Sequence, residues 1–239
     1  MSEADAPGHL RLDCTGDDPV ALGEAAEAAR AAVERGACVV LPTDTVYGIG
    51  ADAFSAAAVQ ALLDAKERGR DMPPPVLVAE TALVRALAVE IPPAALDLVG
   101  AHWPGPLTVV LRAQPSLRMD LGDAAGTIAV RVPDHELARD VLRRTGPMAV
   151  SSANVSGRPA ARTVDEAVAQ LGDRVAVYLD AGPLQASAGA PSTIVDFTVS
   201  AAGRVLRLGA LGVEELRRTC PGLEDLPPAP GAAADRTGG

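Results

Sequence analysis

Ala37-Cys38-Val39-Val40-Leu41-Pro42-Thr43-Asp44-Thr45-Val46-Tyr47-Gly48-Ile49-Gly50 is a five-residue apolar run that empties into hydroxyls and glycines. A run this short, bounded by Gly36 and Pro42, has the length of a buried strand. The stretch behind it, residues 42–50, carries loop chemistry. Upstream, residues 17–35 are Ala-rich with interspersed Glu and Arg and stop at Gly36, the pattern of a helix with a glycine end. Downstream, residues 55–68 predict a second helix with Val59, Leu62 and Leu63 on its inner face.

The alternation continues along the chain. Strands are expected at 76–78, 107–112, 127–132, 148–151, 175–179, 193–197 and 205–208, and helices at 82–89, 94–102, 136–144, 164–171 and 213–218. Such an order predicts an α/β domain, a twisted mixed sheet with flanking helices around an open concave cleft. The domain is expected over residues 10–219. Residues 1–9 and 220–239 are polar and Pro/Gly/Ala-rich and read as disordered ends.

Composition narrows the function. Hydrophobic residues make up 48% of the 239, enough for a core, but aromatics are only 2%. Few rings are therefore available for stacking bases, and a net charge of −10 is wrong for a protein living on phosphate backbones. The one dense basic cluster is Arg139, Arg143 and Arg144. Cys14, Cys38 and Cys220 form neither a disulfide framework nor a metal knuckle, and His9, His102 and His135 show no metal spacing. No run approaches the ~20 apolar residues of a membrane span, and the N-terminus lacks an apolar stretch, so the chain reads as cytoplasmic.

Of 21 basic residues a single one is lysine, Lys66, expected at the exposed C-terminal end of the 55–68 helix with Arg68. A lysine offers a compact point charge where a planar guanidinium is too wide. Neither the glycine-rich phosphate loop nor the dinucleotide fingerprint is present. Instead, small hydroxyl-rich turns stand beside lone cations at six places. Thr43 and Thr45 follow a strand, and Lys66 and Arg68 close a helix. Thr127 and Arg131 share one face of a strand, because side chains alternate. Ser151, Ser152 and Asn154 follow another strand in a turn ending at Gly157, and Ser192-Thr193 and Arg207 complete the set. Together they suit a ligand with several anionic groups, held by charge and by hydroxyl and amide donors.

In order and spacing, residues 42–53, Lys66-Glu67-Arg68, Pro104-Gly105-Pro106-Leu107-Thr108, Thr127-Ile128-Ala129-Val130-Arg131, Ser152-Ala153-Asn154-Val155-Ser156-Gly157, Ser192-Thr193-Ile194-Val195-Asp196 and Leu206-Arg207 resemble the YrdC family of threonylcarbamoyl-AMP synthases, in its short single-domain bacterial form. The resemblance implies a nucleotidyltransferase that turns L-threonine, bicarbonate and ATP into L-threonylcarbamoyl-AMP and pyrophosphate, for threonylcarbamoyladenosine beside the anticodon of tRNA. It makes Lys66 and Arg68 the catalytic pair. Threonine falls to Thr45, Arg131 and Ser152, and ATP to Lys66, Arg68, Thr127, Asn154, Arg162, Ser192 and Arg207. Mg2+ would travel with ATP and need no protein ligand. The product would pass to the tRNA threonylcarbamoyl transferase complex, with tRNA contact weak or indirect and no membrane involved. Met72 and Leu77 stand where the family carries Asn and His, and Leu208 where it carries Pro. A non-catalytic double-stranded-RNA or tRNA-binding module of the same fold is the alternative. The related domain of hydrogenase-maturing carbamoyltransferases is a further rival, without its acylphosphatase-like and Cys-rich zinc modules here.

Overall fold

In the computed structural model, which describes residues 8–184 and 190–225, the opening run and the stretch behind it become two antiparallel strands. The chain starts with β1 (Leu10–Asp13), α1 (Pro19–Glu34), β2 (Val39–Leu41), β3 (Gly48–Asp52), α2 (Ala56–Ala65) and β4 (Val76–Leu77). A 3-10 turn (Thr81–Leu83), α3 (Val84–Leu87) and β5 (Ala88–Val89) follow, where one helix was expected over 82–89. Next come α4 (Pro93–His102), β6 (Leu107–Ala113), β7 (Thr127–Arg131), α5 (Glu136–Thr145), β8 (Met148–Ser152) and α6 (Val164–Leu171). The chain closes with β9 (Val177–Asp180), β10 (Thr193–Asp196), β11 (Arg204–Arg207) and α7 (Val213–Thr219).

All the strands join one twisted mixed sheet in the order β1-β9-β2-β3-β8-β4-β7-β6-β10-β11, with β5 paired to β6. Strand alternation gives the sheet two buried faces. Val40, Ile49, Val76 and Val130 point into one core with Leu62 and Leu63 of α2, Leu98 of α4 and Leu216 of α7. Val39, Leu41, Leu77, Met148 and Val150 point into the other, under Ala26 and Ala29 of α1 and Val141 and Leu142 of α5.

The glycines of β3 are strand residues, against the loop expected there. A Cβ on Gly48 would lie 2.7 Å from Val150 Cγ1, and one on Gly50 2.8 Å from Met148 Cε. The neighbouring strand β8 fills the space that side chains on β3 would need. β1, also unexpected, is an exposed edge strand paired to β9 alone, so its apolar alternation is faint.

The packed part extends past both expected ends of the domain. His9 stacks edge-on to Tyr178 and bonds Asp173 at 2.7 Å. Cys220 and Leu223 are buried, and Glu224 pairs with Arg204. The other residues expected to be disordered, 1–7 and 226–239, lie outside the described residues.

Candidate functional site

α2 begins on Ser55, whose side chain caps Ala58 N, and ends where Lys66 N bonds back to Leu62 and Leu63. Glu67 then takes a left-handed φ of 52°, rare for a side chain other than glycine. That reversal separates two cations. Arg68 reaches Ser151 Oγ with Nη1 at 3.0 Å. Lys66 turns into the protein and is 2% exposed. Its Nζ donates to Ser152 O and, at 2.6 Å, to Asn154 O. The expected solvated helix-end lysine is a buried one, because the turn after β8 supplies carbonyls for its ammonium.

The turn between β2 and β3 is knotted by hydroxyls. Thr43 Oγ1 accepts from Thr45 N and Val46 N and donates to Val46 O. Tyr47, fully buried, donates its hydroxyl to Gly182 O at 2.7 Å. Arg131, at the end of β7, donates Nε to Gly105 O, Nη1 to Thr45 Oγ1 and Nη2 to Asp44 Oδ1 at 2.6 Å. Arg207 Nη2 donates to Ser192 O, and the hydroxyls of Ser192 and Thr108 are hydrogen-bonded at 2.9 Å.

These walls enclose a cavity of about 290 Å3. All six segments expected to carry the site send at least one residue to it: Thr43 and Thr45, Arg68, Arg131, Ser151 and Ser152, Ser192, and Arg207. Val46, Leu77, Val110, Val150 and Ile194 are among the apolar residues that share the lining. Leu77, expected to replace a histidine, makes its stretch of the wall apolar. Among the described residues no Asp or Glu lines the cavity. Burial holds Arg68, Arg131 and Arg207 below the usual guanidinium pKa, with Arg131 and Arg68 adding repulsion at Arg207. All three stay charged at neutral pH. Positive potential is thus concentrated in the cavity of an acidic chain.

Four expected residues lie outside that lining. Lys66 sits behind it. Asn154 spends Nδ2 on Val155 O and Arg158 O, both at 2.8 Å, shaping the turn. Arg162 is exposed and bonds Leu184 O. Thr127 shares a face with Arg131, but four residues of strand separate them by about 13 Å. It lines instead a second, mostly apolar cavity with Leu117, Met119 and Ile128. Asp44, given no role from the sequence, proves to be the carboxylate partner of Arg131; its only signal was an acid between two threonines behind a strand.

The one dense basic cluster is paired with acids. Arg139 and Arg143 pair with Glu80 and Glu136, and Arg144 with Asp140 and Glu27. Among the described residues no group of three or more His, Cys, Asp or Glu is placed to hold a metal ion. No helix among them is long and apolar enough to cross a membrane.

Residues 31–209 match the model of the Sua5/YciO/YrdC family, described as "Telomere recombination". The chain is 52% identical over 205 residues to a Mycobacterium tuberculosis protein provisionally named a threonylcarbamoyl-AMP synthase, covering 86% of this chain and 92% of that one. It is 32% identical to the threonylcarbamoyl-AMP synthase of Pyrococcus abyssi, over 85% of this chain and 59% of that one. The crystal structure of P. abyssi Sua5 complexed with L-threonine superposes with a TM-score of 0.82 at 30% identity, over 95% of this chain and 64% of that one.

Proposed function

This chain belongs to the Sua5/YciO/YrdC family, and from that premise we propose that it is a threonylcarbamoyl-AMP synthase. It joins L-threonine, bicarbonate and ATP into L-threonylcarbamoyl-AMP, pyrophosphate and water. One observation carries the reading: three arginines and a set of hydroxyls line one cavity, with no carboxylate among the described residues. That lining suits two anionic substrates held side by side.

The chemistry asks little more of the protein. Bicarbonate yields carbon dioxide by losing hydroxide, and threonine's amine captures it without an enzyme base, its released proton taking up the hydroxide as water. A carbamate oxygen then attacks the α-phosphorus, and pyrophosphate leaves with the electron pair of the broken P–O bond. Alignment of the two anions and neutralisation of charge supply the acceleration. Arg131 has two N–H groups left after its three hydrogen bonds, which suits the threonine carboxylate. Thr45 and Ser152 stand beside it on the amino-acid side. Arg68 keeps its buried Nε without a partner among the described residues, and an anion would satisfy it. With Arg207 and Ser192 it serves the phosphates. Among the described residues the lining offers no carboxylate to Mg2+, so we assign the ion to the triphosphate. We place the protein in the cytoplasm, handing its adenylate to the enzyme that modifies tRNA.

The test is to incubate the protein with ATP, carbon-13 bicarbonate and L-threonine and to follow the labelled adenylate and pyrophosphate by mass spectrometry. No adenylate with all three substrates present overturns the reading. Salt-sensitive retention of tRNA on filters, without adenylate, would favour the RNA-binding module instead.

A further inference from the structure

We propose that Lys66 is a positioning residue that makes no contact with substrate: its ammonium fixes the carbonyls of Ser152 and Asn154 and so holds the end of β8 against Arg68. The inference rests on the cavity being the ATP and threonine site, and it concerns how that site is kept in shape.

The geometry ties residue 66 to the turn after β8 from both its side chain and its main chain. Two of the three ammonium N–H groups go to Ser152 O and Asn154 O. The Lys66 carbonyl accepts from Ser156 N at 2.8 Å. Lys66 is absent from the cavity lining, whereas Ser151, Ser152 and Arg68 all belong to it. The Arg68 guanidinium rests on Ser151 Oγ, one residue before the carbonyl that Lys66 holds. The cavity side of the strand end thus carries Arg68, and its inner side carries Lys66. Glu67, with its left-handed backbone, is the hinge that lets residues two apart act on the two sides.

This arrangement also accounts for a lone lysine in a chain that otherwise uses arginine. Two carbonyls two residues apart, inside a closed space, call for a compact tetrahedral donor, and a planar guanidinium is too wide. A group in that setting acts on the ligand only through what it holds. Second-layer partners of this kind typically change affinity or activity by about 10–100-fold when removed, as known from the outer shells of metal sites.

Because Lys66 is the chain's single lysine, ε-15N-lysine labelling yields one side-chain resonance. Its pH titration is to be recorded for the wild-type protein alone, with pyrophosphate, and with α,β-methylene-ATP, binding of each being verified by calorimetry. The expected result is a midpoint that stays put within about 0.3 units. A phosphate touching the ammonium would raise it by about one unit or more, and that rise overturns the proposal. Lys66→Met provides the kinetic arm. Loss of positioning should raise the KM for threonine and for ATP together, each about tenfold. A rise for ATP alone means direct phosphate contact, and a fall in kcat with both KM values intact means a global structural role; either result overturns the proposal. If neither ligand binds the wild type, the ATP-site reading fails. The positioning role is then decided by the amide resonances of residues 151–156, which Lys66→Met must displace.

Discussion

Arg131 and Asp44 form an enclosed ion pair, Nη2 to Oδ1 at 2.6 Å, with side chains only 7% and 12% exposed. Asp44 Oδ1 also accepts from Asp134 N at 3.0 Å, so one carboxylate oxygen joins the β2–β3 turn to both the end of β7 and the start of the α5 segment. Removing one partner of such a pair strands the other charge in a poorly solvated place. Asp44→Ala should therefore lower the unfolding free energy by about 3–5 kcal/mol. Asp44→Asn, which keeps an acceptor oxygen, should lose less. Urea unfolding at pH 7 measures both, and a loss below about 1 kcal/mol for the alanine variant would show that the pair does not brace the turn.

The same pair fixes the direction of the Arg131 fork. Three of its N–H groups are held by Gly105 O, Thr45 Oγ1 and Asp44, and the two that remain keep a set orientation. A lysine could not serve three acceptors placed around a plane and still leave two N–H groups for a ligand. Arg131→Lys should raise the KM for threonine about 10–100-fold and change that for ATP by less than about threefold, the pattern of lost binding to one substrate. Initial rates with each substrate varied in turn decide it. Equal rises in both constants, or a rise for ATP alone, would exchange the roles of Arg131 and Arg68.

The sequence disclosed those parts of the fold and site that depend on near neighbours. Apolar runs such as Val39–Leu41 and Leu107–Ala113 are legible because strand burial is written locally. β3 was not, since Gly48 and Gly50 are demanded by Val150 and Met148, about a hundred residues away in sequence. The site divides in the same manner. Hydroxyl turns and cations at strand ends point to a polyanion site, and Thr43, Thr45, Arg68, Arg131, Ser152, Ser192 and Arg207 meet there. Thr127 lines a different cavity from Arg131, because facing the same way does not bring two residues near each other. Asp44 and Lys66 were misjudged because their environment is set by partners 87 and 86 positions downstream, Arg131 and Ser152. Burial of a charge is a long-range property.

Gly48 and Gly50 give a direct check on the tight β3–β8 seam. At Gly48 a new Cβ meets Val150 Cγ1 on a stiff β-branched side chain, whereas at Gly50 the nearest atom is the flexible Cε end of Met148. Gly48→Ala should destabilise by about 1–3 kcal/mol through overpacking, and Gly50→Ala by less. Adding Val150→Ala to Gly48→Ala should recover part of the loss by clearing the contact. Thermal unfolding of the three variants tests this, and a Gly50→Ala protein less stable than Gly48→Ala would reverse the ranking.

Lys66 makes stability depend on alkaline pH with a definite sign. Burial, helped by the Arg68 charge, lowers its pKa from 10.5 to about 8. Below pH 8 the amine is charged whether the chain is folded or not, and folding carries the whole penalty of burying an ammonium. Between pH 8 and 10.5 the unfolded chain binds the proton more fully than the folded one, so stability rises with pH. Above 10.5 both states are neutral and the penalty is gone. The thiols of Cys14 and Cys38, pushed up by burial to about 11 and about 12 from 9.0, act in the opposite sense above pH 9 and mask the trend in the wild type alone. Comparison with Lys66→Met cancels them. From pH 7.5 to 9.5 the wild type should gain about 1–2 kcal/mol on the variant, read by urea unfolding at each pH. A difference that stays flat would mean that the ammonium titrates near its ordinary value in the folded protein, so that its bonds to Ser152 O and Asn154 O offset burial, and the lowered pKa could not then stand.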